Sequence, residues 1–316
     1  MSTGNVGGAL IFWSYIVAAL TFTGVIIYTI INDGPFNRSR LRSEKVTFVI
    51  LATVSFICLS YNMVHVLIHS YLEWETVHKP VIPLRFTTTS SSLSPLEIAR
   101  RLWHWSTTST LFQDFGQAII ADKAGWAWSH AALTLTNVQM MTMSFEGHLF
   151  AVPRLWIFFV LAEILPISFT QNLFHLVCLP RAMARRNRRM NGSWIRMLPF
   201  FAYTYAYKVC LDYAPQSGSR LMTVILAARL LLILPLLLPS PIRFVAGPDR
   251  GSTQQPANRI SPFYIFTAIA GGLVGTVLPE VVRNYHGIHH HPAVSTLGYD
   301  FIISAVSSVV WGYITW

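Results

Sequence analysis

Six carboxylic acids stand in or at the edges of long apolar runs: Asp114, Glu146, Glu163, Asp212, Glu280 and Asp300. An ionised side chain inside a membrane-length run costs several kcal/mol, so each acid is a candidate for chemistry before it is one for solubility. A carboxyl desolvated in an apolar pocket holds its proton near neutral pH and can donate it as a general acid. Asp114 belongs to a polar stripe at helical spacing with Trp103, Thr107, Thr110 and Gln117, expected to look into the protein interior. Glu146 follows Gln139 and Thr142 in the same way. Glu163 follows Phe159 and precedes Pro166, where a kink is expected. Asp114, Glu146 and Glu163 are therefore the candidate catalytic acids. Trp103, Thr110, Gln117, Gln139, Thr142, Phe159 and Asp300 are candidate substrate contacts, and so are His65 and His69. The alternative for any one acid is an ion pair that holds helices together. Lys208 and Arg229 are the only bases centred in apolar runs, which is too few to pair them all.

The histidines suggest a different chemistry. His65-xxx-His69 and His286-xx-His289-His290-His291 have spacings used by membrane di-iron hydroxylases, but a third box is missing because His104, His130, His148 and His175 are isolated. No metal site is assigned. Cys58, Cys178 and Cys210 have neither disulfide nor zinc spacing. P-loop, GxSxG, HExxH and DDxxD patterns are absent from the sequence. No cofactor is implied, and no magnesium site for ionising a diphosphate is visible.

These residues are carried by a chain of 316 residues with only 11% charge, against a soluble norm of about 25%. Such a chain cannot clothe itself in solvated surface, which excludes an ordinary soluble domain, and its apolar content excludes disorder. The net charge of +10 sits in clumps between apolar runs, so it points to membrane orientation and not to nucleic acid. The expectation is one integral-membrane domain over residues 1–316: an all-α, polytopic transmembrane helical bundle with the lipid bilayer as partner. Spans are read at 9–31, 46–72, 97–121, 124–148, 153–178, 196–214, 221–240, 260–282 and 297–316. The first lacks a basic start and a cleavage site, so it is expected to remain as an anchor. Basic segments 38–45, 180–196 and 243–259 belong on the cytoplasmic side, and that parity makes the weak runs 97–121 and 196–214 cross. The count is nine helices, with eight as the alternative. The N-terminus is lumenal and the C-terminus cytoplasmic, in the endoplasmic reticulum. On this layout Glu146, Asp212, Glu280 and Asp300 all lie toward the lumenal ends of their spans.

The segment Arg101-Leu-Trp-His-Trp-Ser-Thr-Thr-Ser-Thr-Leu-Phe-Gln-Asp-Phe-Gly-Gln117, with the layout of spans and basic loops, resembles the fungal integral-membrane terpene cyclases of meroterpenoid biosynthesis, the macrophorin, ascochlorin and ascofuranone type. The resemblance implies metal-free cyclisation of a farnesylated aromatic or quinone, often epoxidised, started by a carboxylic acid that protonates the epoxide or an alkene. Within that segment it supports Asp114. Protonation-initiated cyclisation also needs an apolar cavity and aromatic faces for the cation, which Trp103, Trp105, Trp126, Trp128 and Trp156 could supply. The competing readings are another membrane lipid enzyme (sterol-isomerase-like or di-iron) and a proton- or ion-coupled transporter. The oligomeric state is open. The orientation has a direct check. The sequons at Asn37 and Asn191 fall in cytoplasmic loops, so endoglycosidase should leave the mobility of the expressed protein unchanged, and a shift from either site would reverse the topology.

Overall fold

The computed structural model describes residues 6–32, 39–78, 94–109, 111–185, 190–192, 194–238, 242–244 and 262–315. They form eleven α-helices: α1 (Val6–Asn32), α2 (Ser39–His78), α3 (Pro95–Thr108), α4 (Leu111–Ile120), α5 (Lys123–Leu149), α6 (Leu155–Ile164), α7 (Ile167–Arg185), α8 (Trp194–Tyr213), α9 (Leu221–Leu237), α10 (Pro262–Arg283) and α11 (Pro292–Thr315). Two three-residue strands, β1 (Met190–Gly192) and β2 (Ile242–Phe244), pair antiparallel. Among the described residues, four segments are long and apolar enough to cross a membrane: Val6–Asn32, Ser43–Thr76, Gly218–Leu237 and Pro292–Thr315.

The centre is built from α2, α5, α7 and α11. Apolar and small residues surround α5 on every side, from Ala131 through Val138 to Phe145, and a helix of that pattern can only be buried. Contacts fix the helix directions. Asp122, at the start of α5, meets His290 just before α11, and Glu146, near the end of α5, meets Trp311 near the end of α11. The two helices therefore run parallel. Against them α2 runs the other way, with Val66 beside Ala293 and Phe48 beside Trp311.

Two expected spans are built differently from the sequence reading. Residues 153–178 do not form one kinked crossing, because α6 and α7 fold back on each other. The rings of Phe158 and Phe174, equally far from Pro166, meet edge-on at 5.5 Å. Pro166 disfavours helical geometry in the residue before it, and Leu165 is extended at φ −110 and ψ 162. The chain reverses there. At the base of the hairpin Leu155 lies against Gly147, where any Cβ would overlap it. At its tip Ile167 and Ser168 meet Asp300, about two turns into α11, so the hairpin reaches only part of the way along its neighbours.

Residues 97–121 do not form one crossing either. The helix breaks at Ser109, which is extended at φ −79 and ψ 153. Trp105 of α3 packs on Tyr71 and Trp74 near the end of α2, and Ile119 of α4 packs with Val66 and Ala293. Both pieces stay at the end where α5 and α11 begin. The α6–α7 hairpin likewise leaves from and returns to one end. The placement of the acids does change. Glu146 lies at the opposite end from Asp212, Glu280 and Asp300, whereas the sequence reading grouped all four.

Asp122 starts α5 as an N-cap. Its carboxylate accepts the Gly125 N–H, which holds it below the usual carboxylate range, and His290 Nδ1 lies 3.2 Å away and acts in the same direction. Asp122→Ala is expected to cost about 1 kcal/mol, read as a lower thermal midpoint in detergent. A carboxylate whose folded-state pKa is depressed adds stability above its unfolded pKa and loses it as pH falls through the folded value. The difference between wild type and variant should accordingly shrink below about pH 4.

Candidate functional site

A polar seam runs down the contact of α5, α7 and α11. On α11 it is carried by Asp300, Ser304, Ser308 and Trp311, whose spacing places them along one helix face. On α7 it is Ser168, Gln171 and His175, and on α5 Gln139 and Glu146. Asp300 is buried and accepts the backbone N–H groups of Ile167 and Ser168 at 3.1 and 2.9 Å. The Ser168 hydroxyl lies 2.6 Å from that of Ser55 on α2. One helical turn further along, the Ser304 hydroxyl donates to Gln171 Oε1. The amides of Gln171 and Gln139 both donate to Ser308, at 3.0 and 2.7 Å, and Ser308 donates to the Ser304 carbonyl.

The seam ends at Glu146, which is 5% exposed. Its Oε1 accepts the Trp311 indole N–H at 2.9 Å, and its Oε2 has no hydrogen-bond partner among the described residues. The His175 ring stacks on Trp311 at 4.3 Å and 4°, and Phe48 sets its edge toward both at 5.1 and 5.8 Å. Glu146 makes no ion pair among the described residues. An ionised carboxylate in that setting would be severely destabilised, so the neutral acid is the form the surroundings accept.

The other acids have different companions. Glu163, at the end of α6, has Arg229 Nη1 3.3 Å from its Oε2, while its Oε1 is buried without a partner among the described residues. Tyr203 and Tyr207 lie within electrostatic reach of it. Asp212 pairs with Lys208 at 3.1 Å, and Glu280 lies 3.5 Å from Arg283. Asp114 and Gln117 are on the exposed side of α4, Trp103 is exposed on α3, and Thr110 lies outside the described residues. The break at Ser109 therefore divides the expected inward stripe.

Of the remaining candidates, Gln139 joins the seam and Phe159 is fully buried in the main apolar core. The Thr142 hydroxyl donates to the Val138 carbonyl of its own helix. His65 is exposed with its ring against Tyr61. His69 is exposed, 3.6 Å from Glu73, with its ring 5.7 Å from that of His291. The two histidine spacings thus meet at one end, yet no group of three or more potential metal ligands assembles among the described residues. The sequence reading did not select His175, Gln171, Ser168, Ser304, Ser308 or Trp311. Their signal was the repeat of three to four residues shared by two helices, visible only once α7 and α11 are aligned.

Comparison with protein families, with curated proteins and with solved structures gives no match, so no relative supplies a role for any of these residues. Asp300→Ala would leave two N–H groups at the hairpin tip without their acceptor. Each such loss costs about 1–3 kcal/mol, so this variant should show a large drop in the thermal midpoint of the purified protein. A midpoint close to wild type would mean that the tip is held by other contacts.

Proposed function

We propose that the chain is an integral-membrane enzyme in which Glu146 delivers a proton to an apolar substrate, and specifically a metal-independent terpene cyclase acting on a farnesylated, epoxidised phenol or quinone. The observation that carries this reading is the buried Glu146 carboxyl, with one oxygen held by Trp311, the other without a partner among the described residues, and aromatic rings around it. The Glu146 proton passes to the epoxide oxygen as its carbon–oxygen bond breaks, and an alkene of the chain closes the ring onto the carbon left cationic. The aromatic rings around the acid, with Trp311 in contact with it, are the groups at hand to stabilise positive charge. Loss of a proton from the last cation restores the acid, so substrate and product are isomers. Asp114 is the acid that the family resemblance supports, but on its exposed face it fits substrate entry better than proton delivery. Glu163 already holds the Arg229 guanidinium on one oxygen, so its place is in a helix-holding ion pair and it is not the acid read as the proton donor.

The same reading sets the protein in the membrane. Strand β1 lies in the basic segment 180–196 and β2 contains Arg243, so their pairing ties two basic loops to one end. The start of α2, where most of the basic segment 38–45 falls, lies at that end as well, and positive charge favours the cytoplasmic side. Helices α1, α2, α5, α8, α9, α10 and α11 then cross, and the α6–α7 hairpin re-enters from the cytoplasmic side. The N-terminus is lumenal and the C-terminus cytoplasmic, in the endoplasmic reticulum. A second reading, a proton-coupled transporter, is favoured by the hairpin itself, because helices that begin at mid-membrane are a transporter device.

Membranes containing the protein, incubated with a farnesylated phenol epoxide, should yield a product of equal mass whose formation survives chelation. Glu146→Gln should lower turnover at least about 100-fold at near-wild-type expression, the scale of a lost general acid, and Asp114→Asn should lower it far less. Uptake of an unchanged solute into protein-loaded vesicles would favour transport instead.

A further inference from the structure

Trp311 reaches Glu146 with a single atom, its indole Nε1, and one hydrogen bond does not fix the ring that makes it. The bond of 2.9 Å to Glu146 Oε1 leaves the indole free to turn about its side-chain torsions unless a flat surface lies against it. His175 on α7 supplies that surface. Its ring lies on the Trp311 indole at a centroid distance of 4.3 Å and an interplanar angle of 4°, and both side chains are buried. Phe48 on α2 closes the edge of the pair at 5.1 and 5.8 Å. Hydrogen bonding at Nδ1 does not explain why a histidine stands here, because that nitrogen is buried with no partner among the described residues. The face of the ring is the part the structure uses. A leucine would fill the space and present no plane for the indole to lie on.

We propose that His175 is a positioning residue for Glu146, its ring face holding the Trp311 indole where the N–H meets the carboxyl. A donor fixed on Oε1 steadies the negative charge that develops as the proton leaves, so an indole that swings away should slow proton delivery. Only this consequence for turnover rests on the reading of Glu146 as the proton donor. The clamped N–H belongs to the fold with or without it.

The full chain in detergent, isotope-labelled at its tryptophan indole nitrogens, reports the clamp through the Trp311 N–H resonance, identified by its loss in Trp311→Phe. In wild type that resonance should exchange slowly with deuterium and should move on Glu146→Gln. His175→Leu should speed the exchange at least about tenfold and remove the response to Glu146→Gln, whereas His175→Phe, which restores a flat ring, should keep both. Should the leucine variant fail to fold, His175→Met, flexible and equally without a plane, takes its place. In turnover, His175→Leu should lower kcat about tenfold with KM little changed, and His175→Phe should recover it. If wild-type membranes form no isomer, the proton-donor reading falls and the resonance still decides the clamp. Exchange in His175→Leu as slow as in wild type, with the response to Glu146→Gln intact, would overturn the proposal. Equal loss of protection in His175→Phe would overturn it too, since packing and not the ring plane would then hold the indole.

Discussion

The hydrogen bonds from the first two N–H groups of α7 to Asp300 hold the rest of the architecture in place. A hairpin that turns part-way along its neighbours leaves helix-start N–H groups where water is scarce, and unpaired groups there are expensive. Asp300 takes one N–H on each carboxylate oxygen, at 3.1 and 2.9 Å, and its negative charge suits the positive end of the helix. Ser55 reaches the same point from α2 through Ser168. With three helices fixed there, a common rise of about 1.5 Å per residue brings Gln171 opposite Ser304, and further along the Trp311 ring reaches back to stack on His175. The acid at the far end of the seam is placed by the acid at its head.

Asp300 and Glu146 divide the two uses a protein has for a buried carboxyl. Asp300 is surrounded by donors and is spent on structure. Glu146 receives one indole N–H and faces aromatic carbon, so it retains the capacity to give up a proton. Glu163 is intermediate, with a cation on one oxygen and nothing among the described residues on the other. In the proposed function the reactive acid is therefore chosen by its hydrogen-bond partners and not by burial alone.

Much of this was legible in the sequence. Scarce charge gave the membrane class, and the cost of a carboxyl in an apolar run picked out Glu146 and Asp300 together with Gln139. The sides given to the basic segments belong to the proposal, while the elements between those segments are built differently from the sequence reading. Hydropathy measures how apolar a run is and is blind to a reversal within it, so Pro166 reads as a kink when it is a turn. The run 97–121 was counted as a span by the parity of the basic segments and not by its own hydropathy, and Ser109 and Trp105 direct its two halves along one end of the assembly. The seam was hidden for a related reason: serine and glutamine carry little local signal, and only the alignment of α7 with α11 turns them into a continuous line.

The account rests on Glu146 being a neutral carboxyl at working pH, and infrared spectroscopy reports this directly. The purified protein should show a carbonyl band of a protonated carboxyl at neutral pH, present in wild type and missing in Glu146→Gln. A spectrum in which the two proteins share every protonated-carboxyl band, so that Glu146 contributes only as carboxylate, would contradict it.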